Sequence, residues 1–375
     1  MARLRRMHEE RGRAGAREGG CDFARDVARF SDPAHHYAAA ALQEQIHRLR
    51  EAGADIVRVA VPGIPDADAL PAIVARAGLP IIADIHFNAS LALRALDTGV
   101  AAVRINPGNI GGPDKVEAVV RKAQATSTPL RIGANSGSLP DHLRPLATAD
   151  PAGALVAAAV EEVELLERLG FHDFKISVKS SSVPTMIEAY RRLAAKVPYP
   201  LHLGVTEAGL PGAGTVKSAI GIGTLLADGI GDTIRVSLTA DPVDEIGPAV
   251  AILKALGLRQ AGPNLIACPS CGRTNVEVHE LAGEVDMRLA TYAEHFEVAD
   301  MGCAVNGPGE AGNADFGIAG GRDAGFIYAH GEVLRKVPQE QLVDELFREI
   351  DAWIALGMPR PERGRPMRVI GVVGA

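Results

Sequence analysis

The sequence predicts an α/β fold, a (β/α)8 barrel of TIM type whose first strand is atypical or missing, and three observations carry that prediction. Short apolar runs rich in β-branched residues alternate with helix-capable stretches through residues 40 to 260, the pattern of parallel strands buried on both faces. No Gly-x-Gly-x-x-Gly follows an early strand, which argues against a doubly wound dinucleotide fold. Polar and charged residues gather in and just after the strands, where barrel enzymes place their sites.

Taken in order, the expected strands are Asp-Ile-Val-Arg-Val-Ala-Val at 55–61, Pro-Ile-Ile-Ala-Asp-Ile-His at 80–86, Ala-Ala-Val-Arg-Ile-Asn at 101–106 and Pro-Leu-Arg-Ile-Gly-Ala-Asn at 129–135. Asp-Phe-Lys-Ile-Ser-Val-Lys at 173–179, Pro-Leu-His-Leu-Gly-Val-Thr-Glu at 200–207 and Thr-Ile-Arg-Val-Ser-Leu from 233 toward 239 complete the series. Seven parallel strands are one short of a closed barrel of about eight. Gly-Ile-Gly at 221–223 reads as the opening of a helix late in the series, and a lone glycine pair is weak evidence for a phosphate cradle.

At 375 residues the chain is long enough for two or three domains, or for one barrel of about 250 residues with an appendage. A net charge of −7 leaves no general nucleic-acid footprint, so any anionic ligand must be met locally. No apolar run reaches the roughly 18 residues of a membrane span, and the N-terminus lacks a secretory apolar segment, which points to the cytoplasm. Four cysteines do not make a disulfide scaffold at this length, and Cys21 reads as a spare thiol.

Among the polar residues at the strands, Arg58, Arg104, Arg131 and Arg235 stand out. An arginine inside an apolar strand is costly unless paired or bound to an anion, and four at one barrel rim suggest phosphate or diphosphate recognition. The plainer alternative is ion pairing with Asp55, Asp84, Asp173 and Asp232. Asn106, Asn109, Asn135, Lys175, Ser177, Lys179 and Ser237 join the same set. His86 has Asp84 two residues away to orient it. Glu207 ends a strand and is placed either to move a proton or to balance the cations.

The C-terminal third carries Cys268 and Cys271 in Cys-Pro-Ser-Cys and a third cysteine, Cys303, in Met-Gly-Cys-Ala-Val-Asn-Gly-Pro-Gly-Glu. Three thiolates of this spacing read as ligands of one soft metal centre, with Glu310 the best-placed fourth ligand. The spacing leaves iron–sulfur and structural zinc both open, with a disulfide behind them.

These strings in this order resemble the 4-hydroxy-3-methylbut-2-enyl diphosphate synthase family, from about residue 42 to about residue 350. The motifs are Gly-Ala-Asp-Ile-Val-Arg-Val, Ala-Asp-Ile-His-Phe, Arg-Ile-Asn-Pro-Gly-Asn-Ile-Gly, Lys-Ile-Ser-Val-Lys-Ser-Ser, Gly-Val-Thr-Glu-Ala-Gly, Cys-Pro-Ser-Cys-Gly-Arg and Gly-Cys-Ala-Val-Asn-Gly-Pro-Gly-Glu. The resemblance implies a substrate-binding barrel over 41–260 and a smaller α/β domain over 261–355 carrying a [4Fe-4S] cluster on Cys268, Cys271, Cys303 and Glu310. It implies reductive ring opening and dehydration of 2-C-methyl-D-erythritol 2,4-cyclodiphosphate, with electrons from flavodoxin or ferredoxin. It also implies a homodimer in which one subunit's cluster domain caps the other's barrel mouth. The diphosphate would lie on Arg58, His86, Arg104, Arg131, Asn135, Lys175, Arg235 and Ser237, with Glu207 handling a proton and Glu310 releasing the reactive iron.

The chain departs from the family at its start. The family opens with a strand and loop reading roughly Pro-Ile-x-Val-Gln-Ser-Met-Thr-Asn-Thr, and nothing in residues 1–40 matches it. A shifted reading frame or misplaced start is the expectation, with residues 22–30 as the nearest substitute for the lost strand and an open, poorly soluble barrel as the consequence. Residues 356–375 read as a loose tail without a role. Two alternatives follow: a phosphate-binding barrel aldolase or isomerase with a structural zinc domain, and a cluster-binding protein inactivated by its altered N-terminus.

Overall fold

A computed structural model describes residues 34–269, 271, 274, 276–303, 311, 313–321, 324–358 and 371–374. Residues 1–33, including Cys21 and the expected substitute strand at 22–30, lie outside the described residues, as does Glu310. The chain divides into two compact units, Met1–Leu258 with Arg368–Ala375, and Arg259–Met367.

In the first unit, helix α1 (Ala34–Glu51) leads into β1 (Ile56–Ala60), α2 (Ile64–Ala77), β2 (Ile81–Asp84), α3 (Ala89–Ala95) and β3 (Ala102–Arg104). Next come α4 (Pro113–Thr126), β4 (Leu130–Asn135), α5 (Arg144–Ala149), α6 (Pro151–Arg168), β5 (Phe174–Lys179) and α7 (Val183–Ala194). The series continues with β6 (His202–Leu203), α8 (Ala213–Ala227), β7 (Thr233–Arg235) and α9 (Ile246–Ala255), and the unit takes one more strand from the far end of the chain, β13 (Gly371–Gly374). All seven expected strands form, although the apolar run at 200–207 is reduced to two paired residues. The helices have ordinary local reasons to start: Asn88, Asp150 and Ser182 each cap one by accepting from a first-turn N–H, and Pro stands at the first turn of α2, α4, α6 and α7.

Gly221 and Gly223 lie inside α8 rather than opening it. A Cβ on Gly221 would stand 2.9 Å from Val205 Cγ2, so the glycine is there to let the helix sit close on β6 and α7.

The eight-stranded sheet runs β5-β4-β3-β2-β1-β13-β7-β6, all parallel. A parallel bridge between Ile176 and Leu201 joins β5 to the start of β6 and closes the ring. The eighth strand, β13, comes from the segment expected to be a tail without a role. Its Val373 is in register with Ile56 on one side and Arg235 on the other, so the gap expected between β1 and β7 is filled. The Arg- and Pro-rich composition of 359–369 hid a short β-branched run, Arg-Val-Ile-Gly-Val-Val, behind it.

Strand alternation divides the barrel. Val57, Val59, Ile81, Ala83, Val103, Leu130, Ile132, Phe174, Ile176, Val178, Leu203 and Ile234 belong to one core between strands and helices. Burying the larger of these side chains contributes about 1.5–3 kcal/mol each. The alternate residues Ile56, Ile82 and Ala102 form a separate small cluster, an apolar plug inside the barrel.

The second unit holds β8 (Asn264–Ala267), α10 (Val278–Leu289), β9 (Glu297–Met301), β10 (Phe316–Ala319), β11 (Ala324–Ala329), β12 (Glu332–Pro338) and α11 (Leu342–Ala355). Its sheet runs β12-β11-β10-β9-β8, parallel through β8, β9 and β10 and antiparallel beyond. Phe296, Phe316 and Trp353 meet edge to face in its core, with centroids 5.4–6.1 Å apart.

Candidate functional site

TIM barrels usually fill their interior with branched apolar side chains. Above the Ile56–Ile82–Ala102 plug, this interior is charged instead. Register places the inward positions on neighbouring strands side by side: Asp84 beside Arg104, Arg104 beside Arg131, Gly133 beside Ser177 and Asn135 beside Lys179. Arg58, Asp84, Arg131, Ser177, Lys179, His202 and Arg235 are all buried.

Asp84, fully buried, is the hub on one side. Its Oδ2 is ion-paired with Arg58 Nη1 at 2.7 Å, and its Oδ1 accepts from Arg104 Nη1 at 2.8 Å. Burial by itself would raise this carboxyl, but the two guanidiniums outweigh it and hold it well below the ordinary carboxylate range. His86 Nε2 stands 3.4 Å from the same oxygen with its ring half exposed, as the two-residue spacing from Asp84 suggested. The pairing alternative thus holds for Arg58 and Arg104 through one shared aspartate.

Arg131 differs. It is 2% exposed, and its contact with Ser177 is a weak one, Nη2 to Oγ at 3.5 Å. Its Nε and Nη1 atoms have no hydrogen-bond partner among the described residues. Burial, with Arg58 and Arg104 beside it, makes its charge costly and pulls the guanidinium well below its usual value. Lys179 is held down in the same way, by burial first and then by Arg131, Arg235, Arg58 and Arg104. On the far side Arg235 Nε lies 3.6 Å from Glu245 Oε2, whose other oxygen accepts from Leu238 N at 2.8 Å. Burial pushes Glu245 up to about 7, against the pull of Arg235.

Among the described residues five cations therefore converge on three carboxylates, Asp84, Glu245 and Glu162, and burial raises the last two to about 7 and about 8. Such a set is stabilised by a multiply charged anion, which charge-assisted hydrogen bonds from guanidinium forks suit. The sequence places Lys179 among the strand's polar residues and favours Lys175 as the ligand-binding lysine; the register sets Lys175 opposite Arg131 and Lys179 opposite Asn135. Lys175 lies deeper, one inward position below Ser177 on β5, where burial brings it down to about 7 and its electrostatic neighbour is Asp232. The two lysines are four residues apart on one strand, so both face inward; Lys179 is the one whose charge feels Arg131, Arg235, Arg58 and Arg104.

Asn135 ends β4, Ser237 follows β7 by two residues, and both are partly exposed. Glu207 is exposed just past β6 and adopts φ +52°, a left-handed conformation uncommon for a residue with a side chain. The loop holding it is pinned by Thr206 N to Ser180 O at 3.3 Å and Thr239 N to Gly209 O at 2.9 Å. Observed strain of this kind clusters at functional positions.

In the second unit Cys268 directly follows β8 and Cys303 follows β9 by two residues, so both lie at the C-terminal edge of adjacent parallel strands. Cys268 N donates to Asp300 O at 3.0 Å and Gly302 N donates to Cys268 Sγ at 3.1 Å. Cys303 is buried, Cys268 partly exposed and Cys271 exposed; Cys271 N donates to Thr274 Oγ1 at 3.0 Å. Among the described residues no three His, Cys, Asp or Glu side chains close on one point. The donor set nevertheless fits an iron–sulfur cluster: three thiols lie on one sheet edge and its adjoining loop, and the Gly302 N–H donates to one of the sulfurs.

A family model described as the GcpE TIM-barrel domain matches residues 34–250, and one described as the GcpE protein C-terminal domain matches residues 264–352. The 4-hydroxy-3-methylbut-2-en-1-yl diphosphate synthase (flavodoxin) of Clostridium perfringens is 54% identical over 308 residues, 82% of this chain and 88% of the relative. Its counterpart in Geobacter sulfurreducens is 51% identical over 317 residues, 84% and 90%. That of Geobacillus thermodenitrificans is 50% identical over 307 residues, 82% of each chain.

Proposed function

This chain belongs to the GcpE family, and on that premise we propose the assignment of its residues to the family's reaction. The chain is an oxidoreductase, a 4-hydroxy-3-methylbut-2-enyl diphosphate synthase that reductively opens and dehydrates 2-C-methyl-D-erythritol 2,4-cyclodiphosphate. The aldolase and inactive-protein alternatives are not favoured by these relatives.

The observation that carries the residue assignment is the excess of buried cations in the barrel. Arg58, Arg104, Arg131, Lys179 and Arg235 hold the diphosphate, with Ser177, Asn135, Ser237 and His86 completing its hydrogen bonds. Arg131 and Lys179 gain most, because the ligand supplies the counter-charge they lack. Lys175 has a supporting part beneath Ser177. Asp84 orients Arg58, Arg104 and His86. Glu207, pinned at the mouth and accessible, takes or returns the proton of a hydroxyl.

Cys268, Cys271, Cys303 and Glu310 would hold a [4Fe-4S] cluster, which supplies electrons one at a time and an iron with a displaceable oxygen ligand. The Gly302 N–H steadies the Cys268 sulfur. The relatives' flavodoxin-dependent name supports flavodoxin as the donor, and a homodimer and a cytoplasmic location belong to the same reading. No helix among the described residues is long and apolar enough to cross a membrane.

The test is anaerobic purification followed by iron, sulfide and turnover measurements in one sample. About four irons per chain with conversion of the cyclodiphosphate by a chemical reductant is the expected result. Zinc in place of iron would sink the cluster assignment.

A further inference from the structure

We propose that the C-terminal strand Gly371–Gly374 is the barrel's missing wall, replacing the N-terminal strand that the family's order calls for, and that it holds the two anion-binding strands on either side in place. In a right-handed (β/α)8 barrel built in chain order, the strand between the last strand and the one entered from α1 is the strand preceding α1. Here that position, between β7 and β1, belongs to residues 371–374. The pairing is parallel on both sides, as the barrel requires: Ile56 with Val373 and Val57 with Gly374, then Gly371 with Thr233, Val372 with Ile234 and Val373 with Arg235. Two ladders rather than one distinguish a wall strand from a tail resting on an edge.

The consequence reaches the cation cage. β1 carries Arg58 and β7 carries Arg235, and β13 is the shared hydrogen-bonded neighbour of those two strands. Without it both would be open edges, and the two guanidiniums would stand on strands free to splay. Among the described residues the barrel is therefore closed, with residues 371–374 standing between β1 and β7. This inference is independent of the reaction the enzyme catalyses.

Hydrogen exchange read by mass spectrometry on the full chain decides the pairing. Slow exchange of the amides of Val372 to Gly374 is expected; exchange of the C-terminal peptide at the rate of an unstructured chain would overturn the proposal. The positioning part is read on the double substitution Val372→Pro and Val373→Pro, which removes two backbone donors. Exchange over 56–60 and 233–235 should quicken, and inorganic pyrophosphate should bind at least ~10-fold more weakly, while α10 and α11 stay protected. Unchanged protection of β1 and β7 with unchanged pyrophosphate affinity would refute it. If the proline variant precipitates, exchange in the unaltered chain still decides whether the strand is paired.

Discussion

Arg131 and Asp84 occupy one charged layer, yet removing them should have opposite effects on the ligand-free protein. Asp84→Asn leaves Arg58 and Arg104 without their shared carboxylate and should cost about 3–5 kcal/mol in chemical denaturation, the usual result of orphaning buried charge. Arg131→Met deletes a buried cation crowded by two others and should leave denaturation unchanged or improved. The same variant should bind pyrophosphate about 10- to 100-fold more weakly, because a charge-assisted contact is lost. A destabilised Arg131→Met protein with unaltered pyrophosphate affinity would contradict the cage. Lys175 gives a pH signature. Its folded value is about 7 against an ordinary 10.5, so between those two pH values the unfolded chain binds more protons and stability rises with pH. Denaturation midpoints should therefore climb from pH 7 to pH 9 more steeply in the unaltered protein than in Lys175→Met, by up to about 2 kcal/mol.

At the scale of elements, the cysteines depend on how β8 and β9 end. Parallel pairing of Ala267 with Asp300 sets Cys268 and Cys303 on a common edge, and Gly302 between strand and ligand lets the chain turn tightly under α10. A Cβ at Gly302 would meet Val278 Cγ2 at 2.3 Å and Cys268 Sγ at 3.4 Å. Gly302→Ala should displace both the N–H and the sulfur it serves, and iron and sulfide per chain should fall roughly twofold or more while the helices keep their circular dichroism. Full cluster content in that variant would count against a role for the Gly302 contact. In the barrel the equivalent dependence is on alternation. Each of β1, β2, β3, β4 and β5 turns apolar residues to the helices and carries its charged and polar residues on the inward face above the Ile56–Ile82–Ala102 plug, so a one-residue register slip would bury the wrong set.

For the molecule as a whole, two compact units with separate cores predict two responses to ligand. Pyrophosphate at about 100 times its Kd should stabilise the barrel unit by about 2.7 kcal/mol and leave protection in the second unit unchanged, which hydrogen exchange resolves unit by unit. Equal stabilisation of both units would place the anion site elsewhere. The barrel class was legible in the sequence because seven β-branched runs recur with helices between them, and burial on both faces demands that composition. The arginines and cysteines were legible because their chemistry is costly or idle anywhere except at a site. The different surroundings of Lys175 and Lys179, the sharing of Asp84 by two arginines and the strain at Glu207 were not, since each depends on which positions of separate strands meet inside the ring. The eighth strand was hidden most completely. Local sequence determined that residues 371–374 can be extended, but only the tertiary structure, by leaving β1 and β7 each with an unpaired edge at the right spacing, decided that they are a wall of the barrel.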